Sequence, residues 1–224
     1  MKAVVQRVID AAVTVNGALK GAIARGLLVY LGVARDDTVR DADWLVEKIP
    51  HLRIFDDSEG KMNLSLLDIV NLQKEAVNEA GVNHENGVVN MKNKKNNKIT
   101  TEYTEFEERE EEEEEGEEGE EGEGKEGNIG INGSVKLRVL RGCESSMPIG
   151  VLAVSQFTLL GDARKGRRPT WDKAAPPERA RELYRYFIEK MREKAPCESG
   201  EFQAHMMVAY TNDGPVTILL DSRE

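Results

Sequence analysis

The stretch VVQRVIDAAVTVNGALKGAI, residues 4–23, decides the fold class of this chain. Its Val and Ile residues favour extended backbone. Asn16-Gly17 is the dipeptide that a two-residue hairpin turn demands, because both positions accept positive φ. Strands are therefore expected over Val4–Ile9, Val13–Val15 and Ala18–Ile23. Working outward, Gly26–Val33 is an almost unbroken apolar run that suits a buried strand. Asp41–Ile49 sets Ala42, Leu45, Val46 and Ile49 at helical spacing, with Asp at its start and Pro50 at its end. A second helix opens at Pro176-Pro177-Glu178 and stops before Pro196, with the stripe Ala180, Leu183, Tyr184, Phe187, Ile188 and Met191. Further strands are expected at Ile149–Leu160, Glu201–Thr211 and Val216–Asp221. The class is α+β: one compact domain of mainly antiparallel strands with two main helices.

Between these parts lies sequence of another kind. The 224 residues hold 31 Lys and Arg against 41 Asp and Glu, a net charge of -10. Thr101–Gly127 alone contains 16 Glu against Arg109 and Lys125, so the remainder of the chain is slightly basic. Lys92–Lys98 is Lys/Asn-rich. Like-charge repulsion and scarce apolar residues leave too little burial to offset ordering entropy, so disorder is expected. Only Ser134–Leu140 alternates like a short strand. The expected organisation is a domain of residues 1–69 plus 147–224, with 70–146 a long Lys/Asn- then Glu/Gly-rich insertion. Loop closure costs grow only logarithmically, so a compact domain tolerates such a loop. No apolar run approaches the ~20 residues of a membrane helix, and two cysteines build neither a disulfide framework nor a zinc site. A cytoplasmic protein without metal or cofactor is expected.

Few residues stand out chemically. His51, His84 and His205 lack ligand-like spacing; alternation through Phe202, Ala204, Met206 and Val208 turns His205 to solvent. Arg7 interrupts an apolar strand, where period two forces either Gln6 or Arg7 inward. A buried guanidinium needs acceptors, so Arg7 should clamp backbone carbonyls or a carboxylate; an edge-strand Arg in water is the alternative. Ser155-Gln156-Phe157-Thr158 places polar groups at the end of an apolar strand, either facing a site or simply surfacing. Asn212-Asp213-Gly214-Pro215 reads as a turn between strands. Arg164, Lys165, Arg167 and Arg168 crowd beside Trp171, which suits phosphates with base or ribose packing, or plain solvated surface.

The opening Met-Lys-Ala-Val-Val-Gln-Arg-Val, the strand Val154–Leu159, the segment Lys165–Pro169 and Asn212–Thr217 together resemble the D-aminoacyl-tRNA deacylase family. The match runs in order through both globular parts. The resemblance implies a homodimer that hydrolyses the ester between a D-amino acid and the tRNA 3′ end, and mischarged glycyl-tRNA as well. It implies that Gly214-Pro215 is a Gly–cis-Pro element reaching into the partner's pocket as a backbone chirality filter. Arg7 would hold the carbonyls of Gly214 and Pro215, and Phe202, Met206 and Asn212 would complete the filter. Ser155, Gln156, Phe157 and Thr158 would form the catalytic strand end, with the terminal ribose 2′-hydroxyl assisting attack. Thr158 is the candidate nucleophile, yet no base for it is evident. Arg164, Lys165, Arg167 and Arg168 would meet tRNA. Two departures stand out: Gln203 replaces the Gly that relatives often carry after Phe202, and the insertion replaces a short turn. The rival reading is a non-catalytic nucleic-acid or chromatin-binding protein that kept the fold; the partner of the insertion is unknown.

Overall fold

One long strand organises the molecule. In this computed structural model, which describes residues 1–79 and 147–223, β1 (Lys2–Val15) pairs along a single edge with β8 (Met207–Asp221). Its other edge is shared. Residues 2–8 pair antiparallel with β3 (Gly26–Gly32), and residues 11–15 pair with β2 (Ala18–Ile23) across the Asn16-Gly17 turn. Both turn residues have positive φ, +50° and +81°, as the dipeptide foretells. The sheet continues in parallel from β3 to β6 (Gly150–Ser155) and β7 (Cys197–Ser199). It then curls back on itself: a Cβ added to Gly21 of β2 would stand 3.1 Å from the Ser199 carbonyl of β7. The result is a nearly closed, barrel-like sheet. A small antiparallel pair, β4 (Phe55–Asp56) and β5 (Met62–Leu64), stands apart.

The apolar run of β3 follows from burial on both faces. Leu27, Val29 and Leu31 face a core built with three helices: α1 (Val39–Lys48), α2 (Leu66–Glu79) and α3 (Pro177–Lys194). Leu28 faces the inside of the curl, with Val8, Val13, Ile23, Leu152 and Val154. Pro177 occupies the first turn of α3, where a missing N–H costs nothing. Leu183, Tyr184, Phe187, Ile188 and Met191 form its buried stripe, as the spacing requires.

Four expectations need correction. The compact domain does not stop at residue 69: α2 runs to Glu79, and Ile69 and Val70 are 6% and 5% exposed within the main core. Three helices, not two, are therefore present among the described residues. β6 ends at Ser155, after which Phe157–Leu160 winds into a single 3-10 turn rather than continuing as strand. Asn212–Thr217 is no turn between strands but an excursion inside β8. Gln6 pairs with Thr217 and Val8 with Asn212, so Asp213–Val216 stand opposite Arg7 alone. Such bulges re-aim side chains without ending a strand. Ser134–Leu140 and the acidic run lie outside the described residues.

Candidate active site

At the C-terminal end of β6 the chain opens a cleft of about 580 Å³. Ser155, Gln156 and Phe157 line it from the strand end, and Pro177, Ala180 and Tyr184 line it from the first turns of α3. Phe202, Gln203, Ala204, His205 and Met206 enclose it from the segment before β8. The apolar wall is braced from within. Tyr184 is buried, donates its hydroxyl to the Ala153 carbonyl at 2.9 Å, and packs against Phe202 with ring centroids 5.8 Å apart. Burial pushes the Tyr184 phenol well above its ordinary range, so it stays neutral.

The Gln156 amide donates to the Thr158 hydroxyl across the start of the 3-10 turn. The Gln156 N–H is already used, donating to the Leu31 carbonyl at 2.8 Å. The Phe157 and Thr158 N–H groups begin the turn, where no earlier carbonyl of the turn can accept from them. Phe157 is 57% exposed and meets Trp171 edge to face at 5.3 Å. This aromatic pair stands beside the cationic loop. Asp162 and Thr170 close that loop with two backbone hydrogen bonds of 2.9 Å. Within it Arg164 is committed, its Nε lying 2.9 Å from both oxygens of Asp162, which holds the Asp162 carboxyl well below the usual range. Lys165, Arg167 and Arg168 are exposed and make no ion pair among the described residues.

Arg7 lies elsewhere. It is 4% exposed and satisfies its donors as a buried guanidinium must. Nη1 donates to the Ile54 carbonyl at 2.6 Å and to Asp56 at 3.3 Å; Nε donates to the Asp213 carbonyl at 3.3 Å and lies 3.1 Å from the Asp213 carboxylate. It thus clamps two carbonyls and two carboxylates, though the carbonyls belong to Ile54 and Asp213. Neither Gly214 nor Pro215 accepts a hydrogen bond from it. Gly214 still sits against it: a Cβ there, at φ +118°, would be 3.2 Å from Arg7 Nη2. The Gly214-Pro215 peptide is cis and both residues are exposed. Asn212 braces the excursion by accepting from the Val216 N–H at 3.3 Å.

The sequence-derived candidates therefore fall into three places. Ser155, Gln156, Phe157, Phe202 and Met206 share the cleft, with Thr158 at its edge. Arg7, Asn212, Gly214 and Pro215 share the β8 excursion and do not line the cleft of their own chain. The cations share the loop. Sequence reasoning missed three residues. His205 is exposed as expected, yet lines the cleft, as do the exposed Gln203 and the buried helix residue Tyr184. Gln203 has φ +67°, a left-handed conformation that breaks strand geometry just where alternation was used to discount His205. No described helix is long and apolar enough to cross a membrane.

The chain matches the family model described as D-Tyr-tRNA(Tyr) deacylase over residues 4–82 and 134–221. Among curated proteins it is 40% identical over 224 residues to a D-aminoacyl-tRNA deacylase of Kosmotoga olearia, covering 100% of this chain and 99% of that one. It is likewise 40% identical over 225 residues to a protein of the same name from Koribacter versatilis, covering 100% and 99%. Among solved structures it resembles a c-Myc DNA unwinding element binding protein, with TM-score 0.60, 29% identity and coverage of 99% and 98%.

Proposed function

Because the chain belongs to the D-aminoacyl-tRNA deacylase family, a family of ester hydrolases acting on aminoacyl-tRNA, we propose that the cleft at the end of β6 is where that ester is cleaved. The observation that carries this is the convergence of Ser155, Gln156 and Phe157 with Phe202 and Met206 in one cleft. The apolar wall suits the aminoacyl group, and the Phe157 and Thr158 N–H groups suit the oxygen on which charge develops during attack. Thr158 positions rather than attacks. Its hydroxyl accepts from the Gln156 amide, which has no basicity to remove a proton, and no histidine is hydrogen-bonded to it among the described residues. Catalysis then rests on orientation, backbone dipoles and the substrate's own 2′-hydroxyl.

Selection against L-substrates needs the Gly214-Pro215 element, which stands away from the cleft of its own chain. We infer a homodimer in which each protomer lends this excursion to the other. β8 has one unpaired edge among the described residues, and its Leu219 and Met207 are 76% and 50% exposed. A long edge bearing apolar side chains needs a cover. Glycyl-tRNA, having no side chain to reject, is expected to be a substrate too. Within the basic loop, Lys165, Arg167 and Arg168 are the cations left free for tRNA phosphates, Arg164 being held by Asp162.

Matched D- and L-tyrosyl-tRNA test the reading directly: the D-ester is expected to be hydrolysed and the L-ester spared. Equal rates on the two would refute the filter, and no turnover of either would refute the enzyme. The second reading, a non-catalytic nucleic-acid-binding protein, is favoured by the DNA-binding name of the 29% identical structure. It predicts tight nucleic-acid binding with no ester cleavage.

A further inference from the structure

The mouth of the cleft carries a cation that neither the catalytic strand end nor the basic loop accounts for. Arg181 projects from the second turn of α3, between Ala180 and Tyr184 on the lining face and the exposed Glu182. Its guanidinium lies over the Phe202 ring, 5.2 Å from the centroid. Its Nη2 donates to the Gln203 side-chain carbonyl at 2.6 Å. Both partners line the cleft. Among the described residues no carboxylate pairs with Arg181: Glu182 is taken by Arg179 at 3.1 Å, and Glu201 by Lys20 at 3.0 Å. An arginine held by a ring face and one amide keeps its positive charge and most of its five donors unused.

The local backbone is shaped around this arrangement. Gln203 holds φ +67°, a region that non-glycine residues occupy at a cost. A glycine would relieve the cost but could not reach Arg181. The amide thus fixes the plane of a guanidinium that would otherwise sample many rotamers, which is what bidentate recognition of an oxyanion requires.

We infer that Arg181, oriented by Phe202 and Gln203, is a phosphate-binding residue at the cleft mouth. It takes the phosphodiester that joins the terminal nucleotide of the substrate RNA to the one before it. The inference rests on the cleft being the ester-cleavage site. Chemistry selects the ligand: the aminoacyl ammonium would be repelled by this cation, and the ribose carries no charge. The phosphodiester is the anion nearest the ester in an aminoacyl-tRNA. Arg181 is a positioning residue here, because it holds the RNA and touches no reacting atom.

The test compares two substrates, D-tyrosyl-tRNA and D-tyrosyl-adenosine, the same ester without any phosphate. Steady-state kinetics are measured for the wild type, Arg181→Met, Arg181→Lys and Gln203→Gly. Arg181→Met is expected to lower kcat/KM on the tRNA ester roughly tenfold, mainly through KM, the loss expected for one exposed charge-assisted contact. It should leave the nucleoside ester unchanged. The log–log salt slope for tRNA should fall by about 0.7. Arg181→Lys should restore the slope but only part of the affinity. Gln203→Gly should unfold at higher temperature yet bind tRNA more weakly, since strain and orientation are lost together. An Arg181→Met variant that loses equally on both substrates, or on neither, overturns the inference. If the wild type cleaves neither ester, the deacylase reading fails separately. Binding of uncharged tRNA then still decides, because equal affinity of wild type and Arg181→Met removes the phosphate site.

Discussion

Arg7→Met isolates the role of the buried guanidinium, because methionine keeps much of the apolar stem and discards only the charged fork. The largest loss is at Ile54, whose carbonyl accepts from Nη1 at 2.6 Å in a buried setting. An acceptor stranded there costs about 1–3 kcal/mol. The carboxylates matter less. The Asp56 and Asp213 side chains are 44% and 28% exposed, so water can replace the cation. Each adds only about 0–1 kcal/mol. The sum is about 1–5 kcal/mol, centred near the lower end of what breaking a fully buried pair costs. For a domain of this size that corresponds to a fall in Tm of roughly 2–20 °C. Urea unfolding and calorimetry on the wild type and variant give both numbers. Deacylation well below the variant's Tm should also drop, since Asp213–Val216 lose the one residue they face across the ladder. A variant within about 0.5 kcal/mol of wild type would show that solvent already satisfies these groups, and would refute the clamp.

Thr158→Ala is expected to retain kcat within about tenfold of wild type, as befits a residue that positions rather than attacks; normal binding with no turnover would restore the nucleophile. Deleting residues 81–146 and bridging with a short Gly/Ser linker should leave a cooperatively folding, active protein. Deleting residues 70–146 should cost at least about 3 kcal/mol, because it removes buried Val70 and leaves α2 too short to hold Leu66 and Ile69; equal urea midpoints for the two deletions would contradict this. At Asp41 burial pushes the carboxyl up, but hydrogen bonds from the Ser222 and Thr38 side chains and the Thr38 backbone outweigh it and hold the group at about 2. A folded pKa below the unfolded value contributes stability above about pH 4 that disappears as pH falls toward 2, on the order of 1–2 kcal/mol. Asp41→Asn should therefore flatten that acid limb in pH-dependent calorimetry and leave the curve near pH 7 lower.

What was legible in the sequence is what local physics determines. Asn16-Gly17 specified its hairpin, the α3 stripe its burial, and the conflict at Arg7 its need for acceptors. Each is decided within a few residues of itself. The excursion at Asp213–Val216 was not legible, because a turn and a bulge share the same residues and differ only in what lies opposite. Here the opposite residue is Arg7, some 200 positions away in sequence. The end of the domain was misread for a related reason. α2 begins in ordinary core sequence and crosses residue 70, where the composition begins to change, so a boundary drawn from composition cut a helix whose burial depends on distant β-strands and helices. The cleft mouth was hidden by one dihedral. Strict alternation through 202–208 assigned the half-buried face correctly, to Phe202, Ala204, Met206 and Val208. It could not foresee that Gln203 adopts φ +67° and joins Arg181, twenty-two residues earlier on another element. A non-glycine residue in that conformation is the signal to look for, because strain of this kind persists only where neighbouring contacts hold it. At Gln203 that contact is a guanidinium at the entrance of the cleft, so the strained residue and the proposed phosphate site are one arrangement.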